Sequence, residues 1–339
     1  MLGAVAFTER GAPQMKSLGL TRYALTMGAA AALLAGCGGS QPPIGALGAM
    51  PQSRAIATHA GQGGSWMAEP AGYGKKDLMY VSDQNGSEVY VFTYPKGKFV
   101  GTLTGFNSTE GLCSDTHGNV WITTDEGPYG TGTLVEYAHG GTTPIATLAD
   151  PYGRPGACAS DPKTGNLAVA NPCDDYSCQA KVVVYAGGSG PPTTIPTPVW
   201  GTYDITYDSS GNIFVAGYED YQDSRLAWLP NGSSYFQDFN LKPRNISARG
   251  VEWDGMSLLI GQGPHFHQFK LVDGYGVRIS LVPPYIDKRA YLVLGNRLLT
   301  AGGSGVLIYR YPTGTTPIKT ISVPGSNIVG LTISVAQTQ

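Results

Sequence analysis

Charge is scarce in this sequence. Only 14% of the 339 residues are Asp, Glu, Lys or Arg, and the formal net charge is -2. No Lys/Arg cluster occurs, so the electrostatic footprint that nucleic-acid binding requires is missing, and no nucleic-acid partner is expected. Long apolar runs are missing too. The stretch "ALTMGAAAALLAG", residues 24 to 36, has thirteen residues, too few to span a bilayer. No G-x-S-x-G elbow, P-loop or H-E-x-x-H motif appears, which removes the main sequence support for a serine hydrolase, a nucleotide hydrolase or a zincin. Turn formers are abundant instead. With 48 Gly, 24 Pro and 20 Tyr, the composition favours many turns and pleated strands and leaves little room for long helices.

The N-terminus reads as an export signal beginning at Met15, with residues 1 to 14 an upstream misread start. Lys16 and Arg22 supply a basic start, and residues 24 to 36 an apolar core. The run ends in Leu34-Ala35-Gly36-Cys37, which resembles the lipobox of bacterial lipoproteins. That resemblance implies lipidation of Cys37, a signal over 1–37 and a membrane partner reached through the lipid. Gly38-Gly39-Ser40-Gln41-Pro42-Pro43 stops any helix there. Residues 38–77, rich in Gly, Pro, Ala and Gln, read as a flexible tether. Gly39, rather than Asp, follows two places after the cysteine, so a cell with two membranes is expected to release the protein toward the outer membrane. The expected location is extracytoplasmic, at the cell envelope.

From residue 78 onward one pattern returns: a short apolar strand, an Asp-x-x-Gly-Asn turn, a second strand, then a strand pair joined at Gly. Asp115, Asp161, Asp208 and Asp254 mark the turn at spacings of 46, 47 and 46 residues. Six second hairpins follow, from "VYVFTYPKGKFVGTL" to "VLIYRYPTGTTPIKTI". Four strands per unit at this period predict an all-β, six-bladed β-propeller over residues 78–336, built of four-stranded antiparallel blades. Five units are complete, from about residues 109, 154, 201, 247 and 288. The first lacks its innermost strand, and "NIVGLTISVA" (327 to 336) has the form of that strand, so the C-terminus is expected to close the ring.

Four cysteines besides Cys37 in an oxidising compartment invite pairing. Cys113 stands two places before its turn Asp and Cys158 three, which puts them on opposite faces of their strands. In a propeller the front of one blade meets the back of the next, so a Cys113–Cys158 disulfide between adjacent inner strands is predicted. Cys173 and Cys178 would staple a short loop.

The turn pattern resembles NHL-repeat propellers and, more loosely through "TEGLCSD", "TYDITYDSSGNIFVAG" and "RGVEWDG", the gluconolactonase group. Members of that group hold a divalent cation in the channel with a Glu, an Asn and an Asp, and open lactones. The resemblance implies Glu110 and Asp204 as metal ligands, with Ca2+ a fitting ion because it takes six to eight oxygen ligands and can polarise a carbonyl. No third Asn ligand is in place, and Arg249 stands where another ligand would be expected. Virginiamycin-lyase-like propellers share the blade pattern, but the convergent His and Glu pair of their chemistry is not evident here.

Other residues have structural duties. Asp115 caps its own turn, and His117 within that turn is expected in solvent. His265 and His267 in "PHFHQF" share a strand face at a separation that suits one metal, but only two ligands are visible; exposed alternates with Phe266 turned inward is the preferred reading. "NPCDDYSCQ" and "GYEDYQDSR" follow the second strands of adjacent blades. They make Asp174, Asp175, Tyr176, Tyr218, Glu219, Asp220 and Tyr221 rim candidates for gripping a sugar or a peptide. The expected function is an anchored propeller binding a protein or small-molecule ligand, with a metal-dependent hydrolase or lactonase as the alternative.

Overall fold

The structure is a computed structural model that describes residues 64–69, 73–125, 132–172, 179–219, 224–244, 246–262, 265–283, 290–303 and 305–337. The expected export signal, Cys37, Cys173, Cys178, Asp174, Asp175, Tyr176, Asp220 and Tyr221 lie outside the described residues. Everything below belongs to the compact unit His59–Gln339. Among the described residues no helix is long and apolar enough to cross a membrane.

The strands, in chain order, are β1 (Trp66–Met67), β2 (Leu78–Asp83), β3 (Glu88–Thr93) and β4 (Phe99–Leu103). Next come β5 (Thr109–Ser114), β6 (Val120–Thr124), β7 (Thr133–Tyr137) and β8 (Pro144–Ala149), followed by β9 (Cys158–Ser160), β10 (Leu167–Asn171), β11 (Lys181–Tyr185) and β12 (Pro192–Pro196). The fourth group is β13 (Gly201–Tyr207), β14 (Ile213–Tyr218), β15 (Ser224–Leu229) and β16 (Gln237–Asp238). The fifth is β17 (Asn240–Lys242), β18 (Gly250–Trp253), β19 (Leu258–Gln262), β20 (His265–Val272) and β21 (Tyr275–Val282). The last is β22 (Ala290–Leu294), β23 (Arg297–Gly302), β24 (Gly305–Arg310), β25 (Lys319–Ser322) and β26 (Ile328–Ser334).

These strands form six sheets, and each sheet is a blade. Blade one borrows its innermost strand from the C-terminus: β26 pairs antiparallel with β2 from Leu78↔Ser334 to Asp83↔Ile328. The ring is closed, as expected, and the edges an open stack would expose are removed.

Two sheets carry a fifth strand. Within the stretch expected to be tether, Trp66–Met67 pairs with β4 at Thr102 and Gly101, and the Trp66 ring meets Phe99 edge-on at 5.5 Å. Trp66–Met67 thus belong to blade one, because an aromatic there finds an open strand edge. In blade five, β17 runs parallel to β21 over Tyr275–Val277.

The alternation of side chains explains why the strands read as continuous apolar runs rather than as hydrophobic-polar alternation. Leu78 and Tyr80 of β2 pack with Leu112 and Ile122 of blade two, while Met79 and Val81 between them pack with Leu299 and Ile308 of blade six. Both faces are buried, so both sets are apolar. Among the described residues there are six such clusters, one at each junction between neighbouring blades.

The turn aspartates are structural, as expected. Asp115 accepts the backbone N–H groups of His117 (2.9 Å) and Asn119 (2.8 Å) and the Asn119 amide (3.0 Å). Asp208 repeats this set with Ser210 and Asn212. The following Gly118 and Gly211 both take φ +81°, a conformation open to glycine at little cost. The His117 side chain is 80% exposed, so the His within this turn is solvated.

Candidate ligand site in the central channel

The six inner strands, β5, β9, β13, β18, β22 and β26, surround a cavity of about 210 Å³. Their register with the second strands places Leu112, Cys158, Ile205, Val251, Tyr291 and Leu331 at one level. One residue earlier stand Gly111, Ala157, Asp204, Gly250, Ala290 and Gly330. Asp204 alone has more than a methyl group there. The small residues let inner strands approach closely: a Cβ on Gly111 would sit 2.5 Å from the Gly156 carbonyl oxygen.

Asp204 follows a register shift between Thr202 and Asp204, an irregularity of the kind that re-aims a side chain. Its Oδ1 accepts the Ile205 N–H at 2.9 Å and its Oδ2 the Val251 N–H of the next blade at 3.1 Å. Burial raises its pKa to about 7, against the lowering effect of those two donors. Glu252, on β18, lines the same cavity. Burial pushes its carboxyl well above the usual range, the Asp204 charge adds to this, and the Val293 N–H opposes it. The two carboxyls thus bridge successive inner strands, blade four to five and blade five to six, and discourage each other's ionisation. No Lys or Arg is among the groups that set either value.

Tyr291 follows on β22. Its hydroxyl accepts from the Gly261 N–H (3.1 Å) and donates to the Leu259 carbonyl (3.2 Å), and its ring fits against Gly250, where a Cβ would lie 2.6 Å from Cε1. Tyr207 also lines the cavity. It is 7% exposed, and its hydroxyl has no hydrogen-bond partner. A channel wall with two carboxyls can accept hydrogen bonds from, and pair with, a positively charged group; the Tyr207 hydroxyl is buried in the junction between blades three and four.

By fold the chain is similar to known β-propellers. A chain of the crystal structure titled Nidogen/Laminin Complex matches with a TM-score of 0.61 at 13% identity, over 77% of this chain and 100% of that one. A protein of unknown function from Bacteroides caccae matches with a TM-score of 0.55 at 10% identity, over 76% and 99%. The structure of U3-55K gives 0.51 at 10%, over 74% and 75%. At these identities the likeness is one of fold. No protein-family model matches the sequence, and no curated protein is similar to it.

The two expected metal ligands are not brought together. Glu110 does not line the cavity; it accepts from the Gln84 amide and answers to Arg154 and Asp125, with burial raising its pKa. Arg154 in turn bonds Asp125 at 3.0 Å. Among the described residues no group of three or more His, Cys, Asp or Glu side chains is placed to hold a metal ion.

The Cys113–Cys158 disulfide is present, joining β5 to β9 with a Cα–Cα distance of 5.6 Å. Tyr218 packs on Tyr203 at 5.4 Å, and Glu219 pairs with Arg225. His265 is exposed. His267 is buried rather than exposed: its face of β20 turns toward blade four, where it stacks near Phe269 at 6.3 Å, and burial lowers its pKa.

Sequence reasoning missed Glu252. A signal existed, since Glu252 stands two places before Asp254 as Cys113 stands two before Asp115. The offset that predicted a side chain aimed at the next blade applies to both.

Proposed function

We propose that this protein is an exported propeller, lipid-anchored at Cys37 to the cell envelope, that binds a small organic cation in its central channel. The observation that carries the reading is the Asp204–Glu252 pair, two carboxyls held in a channel wall without a counter-charge among the groups that set their pKa values. A cavity of about 210 Å³ is below the usual range for drug-sized ligands and suits an alkylammonium or guanidinium group, free or on a partner's side chain. The cation would neutralise the charge on the pair.

Thermal melting with butylammonium and guanidinium, at pH 6 and pH 8, tests this. Asp204 is mostly ionised at the higher pH, so binding tightens as pH rises through about 7. At a hundredfold excess over Kd the stabilisation is about 2.7 kcal/mol, and Asp204→Asn abolishes it. No shift with either cation at pH 8, or an equal shift in the variant, overturns the reading.

A further inference from the structure

The β20–β21 hairpin of blade five is built unlike the other outer hairpins. Both strands have eight residues, and they meet at a two-residue turn, Asp273 (φ 48°) and Gly274 (φ 78°). Of the twelve large apolar side chains exposed among the described residues, five lie here: Val272, Tyr275, Val277, Ile279 and Leu281, the last two 55% and 57% exposed.

Register places them on both faces. The pairs Lys270↔Val277 and Val272↔Tyr275 share one face, His267↔Leu281 and Phe269↔Arg278 share the other, and Ile279 sits in a bulge between them. Basic groups flank the apolar ones. Lys242, Arg244, Lys270 and Arg278 are all exposed, and the Lys242 ammonium lies 4.1 Å from the Tyr275 ring centroid. Asp273 is the sole acid on β17 through Arg244 and on this hairpin, so this edge is cationic while the whole chain carries -2.

We propose that this hairpin seats on an anionic lipid surface. Five exposed large apolar side chains on a single hairpin mark an interaction site. Its charge favours an anionic occupant and disfavours a second copy, which would set like charges against each other. Apolar groups on both faces of a blade's outer edge, where β17 covers only Tyr275–Val277 of β21, suit insertion at the headgroup boundary better than a flat protein contact. The proposed anchor leaves room for the propeller to turn toward a bilayer: 27 positions separate Cys37 from Gly64, and a chain of that length spans roughly 30 Å as a coil and about 90 Å extended. The inference rests on the proposed anchor only for bringing the propeller to a bilayer.

The test uses the His59–Gln339 unit, which closes on itself through β26 and carries no anchor. Co-sedimentation is measured with vesicles of equimolar phosphatidylglycerol and phosphatidylcholine, and with phosphatidylcholine alone. Binding to the anionic vesicles is expected to exceed that to the neutral ones. Lys242→Gln with Lys270→Gln weakens it roughly 25-fold, about fivefold per charge, and Ile279→Ser with Leu281→Ser weakens it by at least tenfold. Unchanged thermal midpoints show that both variants fold.

Absence of binding to anionic vesicles, equal binding to both compositions, or binding that ignores both variants overturns the proposal. So does self-association that the Ile279→Ser and Leu281→Ser variant abolishes, which would assign the patch to a second copy. Incorporation of labelled palmitate at Cys37 in expressing bacteria tests the anchor separately.

Discussion

Asp204 should make the propeller less stable as pH rises, the reverse of the usual behaviour of a structural carboxylate. Its folded pKa is about 7 against an ordinary 3.8. Between those values the folded state holds a proton that the unfolded chain has lost, so stability falls with pH across this window and levels off above it. At about 1.36 kcal/mol per unit the full penalty is roughly 4 kcal/mol, and solvent screening at this partly exposed position reduces it to about 2–3 kcal/mol.

Asp204→Asn removes the titration at a cost of its own. An amide offers one acceptor where the carboxylate offered two, so either Val251 or Ile205 loses its partner, at about 1–2 kcal/mol. The variant is therefore expected to be less stable than the parent at pH 4.5 and equal or more stable at pH 8. Urea unfolding at half-unit intervals reads the difference, which should change by about 2–3 kcal/mol across that range. Parallel curves for parent and variant would show that Asp204 is not a strained acid, and the cation reading would lose its basis.

Three other outcomes follow from the same geometry. The Cys113–Cys158 disulfide closes a loop of 45 residues, so replacing both with Ala lowers stability by about 4 kcal/mol in the chain-entropy account; an unchanged urea midpoint would refute this. Asp254 accepts from Met256, Ser257, Gln268 and Tyr311, and although burial alone would raise its pKa, these donors hold it below the ordinary value. Asp254→Ala should cost about 2–4 kcal/mol at pH 7, with the loss shrinking as pH falls through the acid range; a pH-independent loss counts against it. Gly330→Val places a Cβ 2.5 Å from the Ser82 hydroxyl and 2.7 Å from the Glu110 carbonyl, which should loosen the closing strand by about 3 kcal/mol and accelerate proteolysis after residue 325. Parental resistance to protease would show that the seam tolerates bulk there.

The fold was legible because it repeats. A turn Asp at near-constant spacing set the blade frame, and an innermost strand missing at one end with a spare at the other indicated closure. The disulfide followed from counting offsets on that frame. What the frame did not contain stayed hidden. β17 pairs with β21 in parallel through three residues, too short and too non-local to leave a pattern. Simple in-versus-out alternation puts His267 in solvent, whereas in the third strand both faces meet a neighbour. Glu252 escaped because a carboxyl at an inner-strand position looks like any Glu until the ring sets it beside Asp204.

A structural duty alone does not explain that pair. Elsewhere around the ring, neutral groups on the inner or second strand of one blade tie it to its neighbour near the inner strands. The Ser82 hydroxyl donates to the Glu110 carbonyl at 2.7 Å, Thr123 donates to Gly156 at 2.7 Å, and Ser114 donates to Ile333 at 2.8 Å. Between blades two and three a disulfide does it covalently. A hydroxyl oxygen at position 204 could accept from Val251 without ever ionising, and Gly or Ala occupies the equivalent place in every other blade. Two adjacent carboxyls instead carry a desolvation cost and repel each other at neutral pH. A local choice that opposes folding and has a harmless substitute five times over in the same ring is what the proposed cation site would require.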